Sequence, residues 1–274
     1  MKNQTLGFIG AGNMASSLIG GLISDGYPAE NIFVSDVDAA KLKDLATRFG
    51  IHTFEDNRAV VEQSRTVVLA VKPQILEGVA REIAAAVQQT GPLIISIAAG
   101  VREADLDRWL GGGASIVRCM PNTPALVNAG ATALHANDRA GSDHKSAAEA
   151  IVRAVGIAVW VEREDLLDLV TALSGSGPAY FFLFMEAMED AAAEMGLDKP
   201  TARLLTQQTA LGAARIAIES EDGPAELRRR VTSPGGTTEK AIDVFERGSL
   251  RSLVRDAMKA ANARAAELSK QLGG

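Results

Sequence analysis

The sequence predicts an α/β protein in which a doubly wound, mostly parallel sheet is followed by an all-helical C-terminal domain. Three observations carry that expectation. Short β-branched runs alternate with helical patterns through the first 160 residues, a glycine-rich turn follows the first run, and strand patterns stop after Glu162. Strand–helix–strand repetition of this kind builds parallel sheets with helices on both faces.

The apolar runs 5–10, 31–36, 65–71, 92–98, 114–119 and 156–162 are short and nearly continuous. That is the pattern of strands covered on both faces. A shorter strand carries His52, and a further one ends at His135. Between the runs, 13–24, 39–49, 74–88 and 142–155 place apolar residues at helical spacing, with Asp25-Gly26 and Gly50 as stops. Beyond the last strand, helices are expected near 164–173, 178–195, 199–219, 224–231, 237–247 and 249–271. Pro178 and Pro200 fall where first turns tolerate proline, and Gly196 and Gly248 where helices end. The expected domains are therefore 1–162 and 163–274, meeting at a packed joint with no charge-run or serine-rich linker. Helix 178–195 is apolar almost all round at its start. It calls for burial on more than one side, in a core or at a subunit interface.

Composition narrows the function classes. A chain of 274 residues is long enough for two cores. Its net charge of −6 lacks the basic footprint of a nucleic-acid binder. One cysteine, Cys119, precludes a disulfide within the chain and suits a reducing cytosol. The opening MKNQTLGFIG lacks the apolar stretch of a signal peptide. The uncharged stretches 83–101 and 169–185 are interrupted by QQTGP and SGSGP, so neither reads as a lipid-spanning helix. The expectation is a cytoplasmic protein with neither nucleic acid nor membrane as partner.

The first strand leads into Gly10-Ala11-Gly12-Asn13-Met14-Ala15 and then a helix. Gly10 allows the tight turn and Gly12 a close backbone approach to a pyrophosphate, while Ala15 lets helix pack on strand. A glycine turn alone is a weak signal. Its place between first strand and amphipathic helix, with an acid ending the second strand, makes a Rossmann-like dinucleotide site the expected reading. That acid, Asp36, would accept hydrogen bonds from the adenosine ribose and repel a 2′-phosphate, which favours NADH; alternatively it caps the helix beginning near Asp38. Lys72 follows the fourth strand, where it meets a ligand or simply stands in solvent. SIAAGV (96–101) ends the fifth strand in small residues. MPNTP (120–124) ends the sixth, and Asn122 there offers a donor and an acceptor that could meet a carboxamide.

His52, His135 and His144 do not stand where a general acid is needed, and no His/Cys cluster has metal-ligand spacing, so no metal is expected. More informative is VTSPGGTTEKAIDVFE (231–246). Gly235 and Gly236 followed by Thr237 and Thr238 open a helix, presenting backbone N–H groups and hydroxyls at its positive end. Such a mouth binds a carboxylate. It could equally be an N-cap made by either threonine.

The stretch from Pro224 to Glu246 resembles the signature region of the pyrroline-5-carboxylate reductase family. FIGAGNMA (8–15), AVKP (70–73), SIAAGV, RCMPNTPALVNAG (118–130) and LSGSGPAY (173–180) resemble that family too, in its order and spacing over essentially the whole chain. The resemblance implies reduction of the cyclic imine Δ1-pyrroline-5-carboxylate to L-proline with NADPH or NADH. It also implies a helical C-terminal dimerisation domain, giving a homodimer and, in further assembly, a decamer. By the same resemblance Ile9, Gly10, Ala11, Gly12, Asn13 and Met14 contact the pyrophosphate. Asp36 contacts the ribose, Asn57, Ala70, Lys72, Ile97 and Ala99 fall at cofactor positions, and Asn122 lies in the nicotinamide region. Gly235, Gly236, Thr237 and Thr238 hold the substrate, with Glu164 and Glu221 at outer substrate positions. NADPH-using relatives often carry a small hydroxyl residue where this chain has Asp36.

The implied chemistry fits the missing histidine. A cyclic imine is largely protonated near neutral pH and accepts hydride without a strong acid, so Thr238 would orient the ring nitrogen. Two rivals remain on the sequence. One is another imine or keto reductase of the 6-phosphogluconate-dehydrogenase-like superfamily. β-Hydroxyacid dehydrogenases of that plan rely on a lysine early in the helical domain, and 178–195 contains none. The other is a non-catalytic dinucleotide-binding regulator, against which the intact SPGGTT argues.

Overall fold

The computed structural model describes residues 4–273. By internal contacts the chain divides into two compact units, one comprising the residues up to Ser176 with those from Ala261 onward, the other Gly177–Ala260.

The first unit is built on β1 (Leu6–Ile9), β2 (Ile32–Ser35), β3 (His52–Phe54), β4 (Thr66–Leu69), β5 (Leu93–Ser96), β6 (Ser115–Met120), β7 (Gly130–Ala136) and β8 (Gly156–Trp160). They form one sheet in the order β3-β2-β1-β4-β5-β6-β7-β8. Every neighbouring pair is parallel except β6 with β7. The chain order reverses between β1 and β4, the switch point at which a doubly wound sheet opens its crevice.

The strand runs are apolar throughout because both faces are covered. Leu6 and Phe8 of β1, Val68 of β4 and Val117 of β6 join one cluster with α1 (Asn13–Ser24), α2 (Ala39–Phe49) and α6 (Ser142–Arg153). Ile9, Val67, Leu69 and Ile116 point the other way, into a cluster with α3 (Asn57–Gln63), α4 (Pro73–Thr90) and α5 (Glu103–Trp109). This period of two is the strand pleat sorting one run onto two helical layers.

The sequence pattern overlooks α3 and α5, each of seven residues. Both are too short to show a full apolar stripe. Asp56 starts α3 by accepting the Arg58 N–H at 2.9 Å. The segment expected near 164–173 becomes α7 (Leu166–Val170) and a π turn, Thr171–Gly175. SGSGP therefore does not break the helix. Ser176 N–H reaches back to Thr171 O at 2.8 Å, while the Thr171 and Ser174 hydroxyls bond to carbonyls four residues earlier. With the turn absorbed, Leu166–Glu194 is long and apolar enough to cross a membrane by length and composition alone.

The composition changes at 163, whereas the contact boundary falls after Ser176. Buried Asp168 of α7 explains the difference, because it accepts from Arg102 Nη2 at 2.5 Å and from Ser269 Oγ at 3.3 Å. Ser269 lies on α12 (Leu250–Gly273), whose end also accepts from Arg108 Nη2 at 2.7 Å through Gly273 O.

The second unit contains α8 (Gly177–Glu194), α9 (Lys199–Glu219), α10 (Pro224–Arg230), α11 (Thr237–Arg247) and the beginning of α12. Its own helices leave α8 uncovered: Phe181 is 70% exposed, Phe182 63% and Leu183 65%. Of the two expectations for this helix, a core within the chain is not what forms. Monomers rarely leave so large an apolar patch in water.

Candidate active site

The glycine turn ends β1 with Gly10 at φ +103, and a Cβ there would come within 2.7 Å of Ala70 O. Only glycine permits both the conformation and that approach. Gly10 N–H bonds to Ser35 O at 2.7 Å, and Ala70 N–H to Ile9 O at 2.8 Å, so the ends of β1, β2 and β4 are laced together. Gly12 is different. It is the N-cap of α1, no side chain caps it, and a Cβ there would meet nothing within 4 Å. The glycine thus faces open space above an uncapped helix start with Asn13 and Met14 in its first turn. Its free N–H groups are donors of the kind that the oxygens of a pyrophosphate accept, so these residues fit a dinucleotide.

Asp36 follows β2. Its Oδ2 accepts the Ala11 N–H at 2.7 Å and its Oδ1 the Asp38 N–H at 2.8 Å. It does not cap α2. Asp38 does, accepting from Ala40 and Lys41 N–H. The acid is therefore fixed beside the glycine turn with lone pairs left for ribose hydroxyls. Asn57 opens α3, accepts from Ser35 Oγ at 2.8 Å and donates to Glu82 at 3.1 Å. Exposed Lys72 is the N-cap of α4. Ile97 N–H bonds to Leu69 O at 3.2 Å, and Ala99 is half-buried just beyond β5. The expected cofactor residues thus gather at the carboxyl ends of β1, β2, β4, β5 and β6.

Asn122 has a use that the sequence did not disclose. Its Oδ1 accepts the Ala131 N–H at 2.9 Å and its Nδ2 donates to Ser174 O at 3.0 Å. The buried amide thereby ties the loop after β6 to the π turn, so the donor and acceptor read as open for a carboxamide are engaged within the chain.

Glu164 lies in the first unit. Its Oε1 accepts from Arg118 Nη1 at 2.6 Å and from Glu103 N–H at 2.7 Å, capping the start of α5. Glu103 bonds in turn to His135 Nδ1 at 3.2 Å. Burial and the neighbouring Glu164 charge raise the Glu103 carboxyl above its usual range, against the opposing pull of His135 and Arg118. His52 stacks on Phe33 with ring centroids 5.2 Å apart, and His144 sits in the first turn of α6. Burial pushes the Cys119 thiol up to about 12.

In the second unit, Glu221 is exposed in the loop between α9 and α10. Gly235 has φ +71 and Gly236 is the N-cap of α11, with no side-chain cap. Neither Thr237 nor Thr238 caps the helix. The N–H groups of Thr237, Thr238 and Glu239 have no acceptor among the described residues, and both threonines are exposed. Three free donors at a positive helix end, flanked by two hydroxyls, can hold a carboxylate and one further polar group. Glu239 was not singled out in the sequence. Its Oε2 accepts the Gly235 N–H at 2.9 Å, and an acid at the third helical position was the signal that could have found it.

Comparison with known proteins identifies the family. Residues 164–268 match the family model "Pyrroline-5-carboxylate reductase dimerisation", and residues 5–100 match "NADP oxidoreductase coenzyme F420-dependent". A pyrroline-5-carboxylate reductase of Pseudomonas aeruginosa is 50% identical over 273 residues, covering 100% of each chain. The solved structure of a pyrroline-5-carboxylate reductase from Coxiella burnetii superposes with a TM-score of 0.93 at 49% identity, covering 97% of this chain and 98% of that one. The Plasmodium falciparum pyrroline carboxylate reductase, solved with NADP bound, gives a TM-score of 0.86 at 30% identity, covering 98% and 99%.

Proposed function

The chain belongs to the pyrroline-5-carboxylate reductase family, and from that premise we propose that it reduces the C=N bond of Δ1-pyrroline-5-carboxylate with NAD(P)H to give L-proline, the last step of proline biosynthesis. The observation that supports this reading most directly is the uncapped mouth of α11, where Thr237 and Thr238 offer free N–H groups and hydroxyls. Residues 1–162 serve as the coenzyme-binding domain and 163–274 as the substrate-binding and dimerisation domain.

The coenzyme, when bound, supplies the hydride. On the protein side, the start of α1 with Gly10, Ala11, Gly12, Asn13 and Met14 takes the pyrophosphate. Asp36 takes the ribose hydroxyls, and its charge favours NADH over NADPH. Ile9, Asn57, Ala70, Lys72, Ile97, Ala99 and Asn122 line or brace the same crevice. Gly235, Gly236, Thr237 and Thr238 take the substrate carboxylate, and Thr238 Oγ orients the ring nitrogen. No side-chain acid is needed, because the cyclic imine is already protonated near neutral pH and its iminium carbon accepts hydride directly. The residues provide placement and electrostatic complementarity. Glu221 serves as an outer substrate contact. Glu164 does so as well, through whatever acceptor capacity its bonds to Arg118 and Glu103 leave.

The exposed aromatic face of α8 supports a homodimer through the helical domain; further assembly of dimers to a decamer rests on the family resemblance alone. A second subunit, not lipid, then covers it, in a cytoplasmic protein that binds neither membrane nor nucleic acid. The direct test is oxidation of NADH and of NADPH by the purified chain with racemic pyrroline-5-carboxylate, with proline identified by mass spectrometry. Imine-dependent oxidation of either coenzyme is expected. Its absence with both overturns the reading.

A further inference from the structure

Glu239 stands at the third helical position of α11 and reaches back four residues, its Oε2 accepting the Gly235 N–H at 2.9 Å. An acid at this position ordinarily bonds to the N-cap N–H. Here the N-cap donor is already committed, since Gly236 N–H bonds to Ser233 O at 3.0 Å, and Glu239 reaches one residue further. Gly235 is held at φ +71, with nothing within 4 Å of where a Cβ would stand. The turn from Ser233 to Gly236, with Pro234 and Gly235 at its corners, accounts for that left-handed φ. The Glu239 carboxylate adds a side-chain bond that ties the turn to the first turn of α11. The two N–H groups ahead of the helix are thus consumed internally, while those of Thr237, Thr238 and Glu239 itself are left without an acceptor.

We infer that Glu239 is a positioning residue for substrate: by tethering Gly235 it keeps the lip of the α11 mouth open, so that the Thr237 and Thr238 N–H groups meet an incoming carboxylate. This rests on the reading that the α11 mouth takes the substrate carboxylate. Glu239 does not fill the mouth, because its bond goes to the residue before the N-cap. Its negative charge acts against substrate binding, so the acceptor oxygen, and not the charge, is the useful feature. Glutamine keeps an acceptor at that reach; alanine removes it, and aspartate falls one methylene short.

The test uses the full-length assembled protein with pyrroline-5-carboxylate, L-proline as product inhibitor, and a separate measurement of reduced-coenzyme binding. Glu239→Ala should raise KM for the imine about tenfold with kcat and coenzyme Kd within about twofold of wild type. The proline inhibition constant should weaken by the same factor. Glu239→Gln should restore KM to within about threefold of wild type, and Glu239→Asp should behave like the alanine variant, which keeps the test available if Glu239→Ala does not assemble. Unchanged KM in Glu239→Ala, or in Glu239→Asp where that variant stands in for it, overturns the inference. So does a KM below wild type, or a Glu239→Gln variant as impaired as alanine. Absence of wild-type turnover is a different result, which removes the underlying reading of the site.

Discussion

Asp36 Oδ2 accepts the Ala11 N–H at 2.7 Å, binding the acid that ends β2 to the glycine turn that ends β1. Three cations on the neighbouring helices are already paired with acids: Lys41 with Asp38 at 3.7 Å, Arg48 with Asp44 at 3.1 Å and Arg58 with Asp56 at 3.1 Å. A 2′-phosphate placed here meets a fixed carboxylate and must compete for each of those partners. A ribose 2′-hydroxyl meets an acceptor.

Replacing the acid should therefore move coenzyme choice. Wild type is expected to have the higher kcat/KM with NADH, and Asp36→Ser should shift the NADH-to-NADPH ratio toward NADPH by about tenfold or more. Because the same carboxylate anchors Ala11, the variant should also lose some efficiency with NADH. Steady-state kinetics with both coenzymes at saturating imine decide it, and an unchanged ratio removes Asp36 as the selector.

At the other half of the chemistry, Thr238 is an exposed residue in the first turn of α11 and does not cap it. Thr238→Ala therefore costs the helix no capping bond, and any kinetic loss belongs to substrate. We expect kcat/KM for the imine to fall by about ten- to a hundredfold while coenzyme affinity holds, as measured by turnover and by nicotinamide fluorescence titration. Turnover equal to wild type would refute the role given to Thr238.

The local geometry at these two places was legible in the sequence because each is built within a few residues. The glycine turn, the acid that follows β2 and the SPGGTT segment are read within a few residues of one strand or helix end. What the sequence concealed is made by distant partners. Asn122 meets Ser174 across 52 residues, and Glu164 meets Arg118 across 46. Neither spacing has a local signature, and the identity of each partner emerges only once β6 and α7 pack. SGSGP misled for a related reason. Its glycines and serines look like a helix stop, yet hydroxyl back-bonds and the Asn122 amide satisfy the wider π turn. The helices α3 and α5 lacked the length to show periodicity.

The Glu164–Arg118 pair predicts an effect on stability. Arg118 is 4% exposed, and its Nε has no partner among the described residues, so Glu164 supplies the countercharge. Removing one member of a buried pair strands the other. Glu164→Ala should destabilise the protein by about 3 kcal/mol, visible as a lower midpoint in urea. If Glu164 also contacts substrate, KM rises in the surviving folded enzyme; a variant with wild-type stability and a raised KM would reverse the emphasis placed on Arg118.

Glu103, next in the same cluster, makes stability depend on pH. Burial first and the Glu164 charge second raise its native carboxyl, with His135 and Arg118 opposing. A carboxyl raised on folding holds its proton more tightly in the native state than in the unfolded chain. Its contribution is therefore fully present below the ordinary carboxylate range and is lost as pH climbs through the raised native value. Glu103→Gln keeps the shape and abolishes the titration. The variant should accordingly gain stability relative to wild type as pH rises from about 4 to about 7, most steeply where the native carboxyl ionises. Urea midpoints of both proteins across that range provide the difference curve. A flat curve means that Glu103 ionises alike in both states, and a falling one means that its bond to His135 outweighs the cost of burying its charge.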